Sequence, residues 1–198
     1  GFIDEVYVKL EKILVLTILE VSINHYKRIA ESLVKVHRFT EYVFENIEGH
    51  LLHFMGTHTL QYDLALMLDI LAAFAISGNG SEHLFYSFQE IFNNFYELEA
   101  QEQEDLSHGD FISKIVQTYA LAKLKHPELV FDERFKELVH KLVIGNEAHY
   151  TLEELVNVVQ FGWTFGFPNQ EKINKLLDKR LFEVKGDMKG DDMIRYID

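Results

Sequence analysis

Apolar residues recur every three or four positions along most of this chain, which is the spacing of one face of an α-helix. Ile29, Leu33 and Val36 follow this spacing, and Val43 and Ile47 continue it further on. The pattern predicts nine helices, over residues 3–22, 25–37, 39–55, 60–77, 81–99, 110–125, 128–144, 152–166 and 169–182. We therefore expect an all-α fold.

Turn signals separate these helices. The glycine-containing stretch "SGNGS" ends at Ser81, which is a suitable N-cap for the next helix. Pro127 in "KHPE" and Pro168 in "GFPNQ" are expected near first helical positions, where the missing N–H costs nothing. Thr151 and Glu154 have the spacing of a capping box, in which each residue satisfies a backbone N–H of the other.

A large residue between small neighbours recurs along the chain, and it is the main signal for the architecture. It is Phe74 in "LAAFAISG", Leu121 in "YALAKLK" and Trp163 in "FGWTFGF", at spacings of 47 and 42 residues. A weaker copy around Leu33 lies 41 residues before Phe74. Such a period predicts an α-solenoid of stacked antiparallel helical hairpins. We expect the large residue to be buried while its small neighbours permit close helix approach.

The length of the chain limits its organisation. Its 198 residues suit one domain or a short repeat array, and 47% hydrophobic residues suffice for a core. We expect N-terminal helices with a divergent repeat over 1–58, three helical-hairpin repeats over 59–183, and a loose tail over 184–198. The chain begins at Gly1, so we expect a processed product or a fragment from which any targeting peptide has gone.

The charge balance bears on partners. There are 19 basic and 32 acidic residues, for a net charge of −13, which repels phosphate at long range. This counts against nucleic acid as the main partner and favours proteins, or basic neighbours in a large assembly. The chain has no cysteine, which excludes disulfides and thiolate metal sites. Its longest early apolar run, from Ile13 to Ile23, contains Glu20 and is too short to span a bilayer.

Two stretches carry a family resemblance: "TYALAKLKHPELVFDERFKELV" and "VVQFGWTFGFPNQEKINKLL". Over residues 60–182 the chain resembles the degenerate helical-hairpin repeats of organellar proteins. These are the octotricopeptide and heptatricopeptide repeats and the related repeats of FAST-kinase-type and RAP-domain proteins. Their first helix carries an aromatic–Ala–Leu/Phe–Ala–Lys–Leu run, followed by a short turn and a second amphipathic helix. Here Gly162 and Thr164 take the place of alanine.

The resemblance implies a mitochondrial or plastid protein, and in many members RNA association. The acidic charge departs from the basic RNA-binding members and favours an accessory role. We therefore expect a non-catalytic scaffold or accessory subunit of a large mitochondrial assembly, either a mitoribosome or a respiratory or ATP synthase complex. Its partners would be the protein subunits of that complex, and no cofactor is expected. The alternative is an organellar RNA-binding helical-repeat protein.

Basic residues on two helices are the candidates for RNA or partner contacts. They are Lys123, Lys125, Lys172, Lys175, Lys179 and Arg180. On a helix, three of the lysines share one face, although a solvated outer face explains them more simply. The aromatic residues Phe85, Phe88, Phe92 and Phe95 recur at helical spacing, and we expect them in the core rather than as base-stacking platforms.

A helical metal-binding protein or enzyme is the remaining alternative. His50, His53 and His58 could bind zinc only if a loop folded back, so we expect surface histidines instead. Glu137 and His140 form a single Glu-x-x-His, whereas a di-iron bundle requires two. The sequence has no Gly-x-Ser-x-Gly elbow and no cysteine nucleophile. We therefore predict no catalytic, cofactor-binding or metal-binding residue.

Overall fold

The computed structural model describes residues 2–17, 22–37, 41–57, 63–98, 109–145 and 150–185, and these residues form nine α-helices and no strand. The helices are α1 (Phe2–Thr17), α2 (Ile23–Lys35), α3 (Glu41–Thr57), α4 (Leu64–Ser77), α5 (Glu82–Leu98), α6 (Gly109–Lys125), α7 (Glu133–Gly145), α8 (Leu152–Phe165) and α9 (Gln170–Lys185). The predicted all-α fold is confirmed for the described part of the chain.

The capping chemistry sets several helix starts. Thr151 and Glu154 form the predicted capping box: the Thr151 hydroxyl accepts the Glu154 N–H at 3.2 Å, and the Glu154 carboxylate accepts the Thr151 N–H at 2.7 Å. α4 begins at Leu64, later than predicted, because Asp63 is its N-cap and accepts a first-turn N–H at 2.9 Å. These bonds satisfy amide groups that have no partner inside the helix.

α7 begins at Glu133, whereas the sequence predicted a start at residue 128. Asp132 is the residue before the helix, and its carboxylate accepts a backbone N–H from the first turn at 3.2 Å. Pro127 therefore lies in the turn rather than at a first helical position. The reason is that Leu129 is completely buried in the intervening segment, which packs into the core in a non-helical form.

α9 continues to Lys185, beyond the predicted end at residue 182. The beginning of the predicted tail is therefore helical, and residues 186–198 lie outside the described part of the chain. α9 carries charged residues on most of its exposed positions, and Ile173 is its fully buried apolar residue. A helix with one narrow apolar stripe packs against its neighbours on one side only.

The helices contact one another in two rows. α2, α4, α6 and α8 contact in succession and form the even row, while α1, α3, α5, α7 and α9 do the same and form the odd row. Contacts between α2 and α3, α6 and α7, and α8 and α9 join the rows. Buried apolar side chains from both rows make up one core cluster. Residues that are distant in sequence therefore meet mainly where a helix contacts the next helix of its own row.

The turns that precede α5, α7 and α9 share one contact, which we call the cap clamp. In each, a polar side chain of the previous odd-row helix bonds to the backbone of the N-cap residue. The pairs are Glu48 with Ser81 (3.1 Å), Gln89 with Asp132 (2.9 Å) and His140 with Asn169 (3.3 Å). The first two side chains accept the N–H of the cap, whereas the His140 ring donates to the carbonyl. Each N-cap side chain also accepts a first-turn N–H of its own helix.

The ends of the even-row helices show which positions of one helix are equivalent to which positions of the next. His37, Gly78 and Gly166 follow α2, α4 and α8 in the left-handed conformation, with φ of 53°, 74° and 81°. The N–H of Gly78 bonds to the carbonyl of Phe74, and that of Gly166 bonds to the carbonyl of Gly162. Phe74 and Gly162 are therefore equivalent positions, and both are buried.

This register corrects one prediction from the repeat. Trp163, expected in the core, has 72% of its surface exposed, whereas Phe74 is completely buried. Trp163 comes one residue after the position equivalent to Phe74, and one residue turns a helix by about 100°. In α6 the equivalent residue is Ala122, whose carbonyl accepts the N–H of His126, so Leu121 also lies one residue out of register and is only half-buried.

Candidate interaction surface

The six cations predicted to contact RNA or a partner lie in both rows. Lys123 and Lys125 are in α6 of the even row, and the other four are in α9 of the odd row. α9 makes its contacts with α7 and α8. The three α9 lysines, Lys172, Lys175 and Lys179, are exposed, as their shared helical spacing predicts.

Three of these six cations have local acceptors. The Lys123 ammonium donates to the carbonyls of Pro127 and Leu129 and so fixes the turn between α6 and α7. Lys175 pairs with Glu171 at 2.7 Å, and Arg180 pairs with Glu183 at 3.0 Å. The charges of Lys175 and Arg180 are thus partly compensated within α9, and the Lys123 ammonium is held by the turn.

Lys125 has a packing role as well. Its aliphatic chain lies over the turn after α4, where a Cβ on Gly78 would be 3.3 Å from the Lys125 Cδ. Gly78 has a φ of 74° and is in the left-handed region that glycine adopts most easily. Lys125 therefore covers the end of a neighbouring even-row helix while its ammonium stays near solvent.

An ion-pair ladder joins three even-row helices. Asp69 of α4 pairs with Lys27 of α2 through one oxygen and with Lys114 of α6 through the other. Burial on its own raises the pKa of the Asp69 carboxyl, but the bonds from Lys114 and Lys27 outweigh it, and its pKa lies below the ordinary value. The bond to Asp69 raises the pKa of Lys27. Sequence reasoning did not find this ladder, although Asp69 is the only charged residue in α4.

The ladder borders a shallow groove of about 320 Å³ across α2, α4 and α6. Its floor is formed by small and aliphatic residues, among them Ala72, Ala73 and Leu121. Ile76 lies at its edge and is half-exposed. The arrangement offers an apolar surface beside the ion pairs of Asp69.

A second groove, of about 370 Å³, lies between α1 and α2. Leu10 and Leu14 line it from α1, Leu33 lines it from α2, and Val36 lines it from the C-cap of α2. Leu10 and Val36 are half-exposed. We call this the α1/α2 groove, and it is the more apolar of the two.

The histidines do not form a metal site in the described part of the chain. No group of three histidine, aspartate or glutamate side chains there is placed to bind one ion. The His50 ring lies 6.0 Å from that of Tyr26, and His58 lies outside the described residues. His140, the histidine of the single Glu-x-x-His, bonds to the Asn169 carbonyl in a cap clamp.

The aromatic residues of α5 belong to the core, as predicted. Phe85, Phe88 and Phe92 are completely buried, and Phe95 is partly buried. Tyr119 of α6 lies among them, and its hydroxyl donates to the Phe85 carbonyl at 2.8 Å. Burial raises the pKa of the Tyr119 hydroxyl well above its ordinary value. These rings hold the two rows together and are not available to stack on bases.

None of the helices in the described ranges has the length and apolarity that a bilayer crossing requires. Comparison with protein-family models, with curated proteins and with solved structures finds no match to this chain.

Proposed function

We propose that this protein is a non-catalytic scaffold, built as an α-solenoid of stacked helical hairpins, that binds protein partners. The order of the helix contacts supports the solenoid, because each successive hairpin adds one helix to the even row and one to the odd row. The cap clamps support it as well, since the same contact recurs before α5, α7 and α9. In a stack of equivalent units, each unit touches only its neighbours in this way.

The observation that carries the protein-binding role is a contrast between cations and apolar side chains. Lys123 and Lys175 are engaged with local carbonyl or carboxylate oxygens. Trp163 and Phe182, in contrast, have 72% and 80% of their surface exposed. Nucleic-acid binding depends on cations that can reach phosphates, whereas exposed large apolar side chains are typical of protein interfaces.

We further propose that the assembly is mitochondrial, either a mitoribosome or a respiratory or ATP synthase complex. The support is the resemblance of residues 60–182 to organellar helical-hairpin repeats. The net charge of −13 adds to it, because an acidic subunit suits basic neighbours in a large assembly.

Sedimentation of a native extract, with and without ribonuclease, tests this function. We expect the chain to migrate with a large particle that survives ribonuclease. A shift to light fractions after ribonuclease would replace the proposal with an RNA-dependent role. Light fractions under both conditions would contradict membership of any large assembly.

A further inference from the structure

The turn between α4 and α5 contains the one Asn-Gly pair of the sequence, Asn79–Gly80. An asparagine that precedes glycine is chemically labile, because the glycine nitrogen can reach the asparagine side chain with no Cβ in the way. The pair comes directly before Ser81, the N-cap residue that is bonded to Glu48 in the first cap clamp. A change at Asn79–Gly80 would therefore act on the contact that joins α3 to α5.

The packing of this turn requires a residue without a side chain at position 80. Gly80 has a φ of 91°, in the left-handed region, and a Cβ there would lie 3.0 Å from the Phe74 Cδ1 and 3.4 Å from the Leu84 Cδ2. Phe74 and Leu84 are completely buried. A larger residue would be strained at this φ and would press on the core. The fold thus keeps glycine after Asn79, which is the condition for the reaction.

The two groups that react are the two that the turn leaves without a bond. On one side, the Asn79 N–H bonds to the Phe74 carbonyl at 3.2 Å, and on the other, Glu48 accepts the Ser81 N–H at 3.1 Å. Between them, neither the Gly80 N–H nor the side-chain nitrogen of Asn79 has a hydrogen-bond partner among the residues that the structure describes. The Gly80 nitrogen and the Asn79 amide can therefore react without breaking a hydrogen bond, while the flanking bonds hold the pair in place.

We propose that Asn79–Gly80 is a self-modification site, at which the folded chain converts Asn79 to aspartate and isoaspartate without an enzyme and so loosens the first cap clamp. The attack is intramolecular, so it proceeds although the Asn79 side-chain nitrogen is buried. The inference goes beyond the proposed scaffold function, because no partner takes part in the reaction.

The conversion has two steps. Hydroxide removes the Gly80 amide proton, the nitrogen forms a bond to the Asn79 Cγ, and the Cγ–Nδ2 bond breaks, so that the side-chain nitrogen leaves as ammonia with a proton from water. The product is a succinimide ring. Water then opens the ring: cleavage of the bond to Cγ gives aspartate, and cleavage of the bond to the main-chain carbonyl carbon gives isoaspartate. In sum, water is consumed and ammonia is released, with no oxidation or reduction.

Isoaspartate changes the turn because its main chain runs through Cβ and Cγ and is longer by a carbon atom. The turn is anchored on both sides of this position: the Asn79 N–H bonds to Phe74, and the Ser81 N–H and hydroxyl bond to Glu48. A longer main chain between these anchors displaces Ser81 from Glu48. Aspartate adds a charge but keeps the length of the main chain, so its effect on the clamp is smaller.

Incubation of the purified, folded full chain, followed by peptide mass spectrometry, tests the site. Chymotrypsin, which cuts after aromatic residues and leucine, places Asn79 and Asn46 in separate peptides. We expect the Asn79 peptide to exchange NH2 for OH and to separate into aspartate and isoaspartate forms. Its rate should rise about tenfold per pH unit, because the ionised Gly80 amide increases in that proportion. Asn46 is the internal control, since its side chain donates to the Tyr42 carbonyl at 2.7 Å and the β-branched Ile47 follows it.

The same chain unfolded in urea gives the rate of the pair without the fold. Conversion in urea with none in the folded chain would show that the fold protects Asn79, and it would overturn the proposal. Conversion of Asn46 as fast as that of Asn79 would also overturn it, because the reaction would then not depend on Gly80 or on unpaired groups.

Urea denaturation of fresh and incubated protein tests the effect on the cap clamp. We expect the incubated wild type to unfold at a lower urea concentration, in proportion to its isoaspartate content. Asn79→Gln is the matched control, because its longer side chain would have to close a larger ring, and it should keep its unfolding midpoint on incubation. Asn79→Asp should have a midpoint between those of fresh and incubated wild type. An unchanged midpoint after conversion, or an equal loss in Asn79→Gln, would overturn the effect on the clamp.

Discussion

The side-chain oxygen of Gln89 accepts the backbone N–H of Asp132 at 2.9 Å, and Gln89 is almost completely buried. This cap clamp joins α5 to the start of α7. The variant Gln89→Ala leaves the Asp132 N–H without this acceptor, so we expect the free energy of unfolding to fall by about 1–3 kcal/mol. Urea denaturation measures the change. Glu90→Ala, at the exposed next residue, is the matched control and should alter stability by less than about 0.5 kcal/mol.

The corrected register makes a prediction about two aromatic residues. Phe74 is completely buried and its ring lies 5.0 Å from that of Phe44, whereas Trp163 is exposed. Phe74→Ala should therefore cost about 3–5 kcal/mol of unfolding free energy, and Trp163→Ala should cost less than about 0.5 kcal/mol. Thermal and urea unfolding of the two variants distinguish them. Similar losses from both would mean that the repeat motif marks the core and that this register is incorrect.

Asp69 should make stability depend on pH in the acid range. Its pKa is lower in the folded protein than in the unfolded chain, so its contribution is complete above the unfolded value of about 3.9 and is lost as pH falls through the folded value. Asp69→Asn should be less stable than wild type at neutral pH, and the difference should shrink in acid. Urea titrations across the acid range measure it. Asp178→Asn, on the exposed face of α9, is the matched control for the substitution.

Gly162 lies at a close approach inside the last hairpin, against the Phe167 ring and the Gln170 side chain. A Cβ at this position would be 2.7 Å from the Gln170 Oε1 and 3.0 Å from the Phe167 Cδ2. Gly162→Ala should lower the free energy of unfolding by about 1–3 kcal/mol through overpacking. Gly49→Ala is the control, because nothing lies within 4 Å of its Cβ and alanine favours a helix by about 1 kcal/mol. A stabilised Gly162→Ala would show that the neighbours move aside freely.

Helix existence could be read from the sequence because helical spacing and capping are local. The capping box at Thr151 needs only a residue three positions away, and it forms as predicted. The start of α7 could not be read in this way. It depends on the burial of Leu129 and on the hydrogen bond between Gln89 and the Asp132 N–H, whose residues lie far apart in the chain.

The register of the repeat was readable in part. The left-handed residues His37 and Gly78 are 41 residues apart, which is also the spacing of Leu33 and Phe74, although Leu33 is only partly buried. In the later copies the large residue between small neighbours lies one residue away from the position that the helix end defines. Gly166 was the signal that would have moved the last copy off Trp163, because a glycine after a helix marks its end.

The candidate surfaces were the least predictable feature. The ladder through Asp69 requires Lys27 and Lys114, which come from two other helices, and no local pattern pairs them. The six candidate cations could be located on their helices, but the acceptors of Lys123 depend on the fold of the turn that follows. Such contacts follow from packing, which a single sequence does not display.

In every cap clamp, the residue that bonds through its side chain comes earlier in the chain than the N-cap residue that bonds through its backbone. Glu48 precedes Ser81, Gln89 precedes Asp132, and His140 precedes Asn169. A ribosome makes a chain in that same direction, and emerging segments can fold before the rest is synthesised. Each new hairpin thus meets a docking point that is already in place. We therefore expect assembly to have a direction, in which a defect in α3 disturbs the later hairpins more than a defect in α9 disturbs the earlier ones.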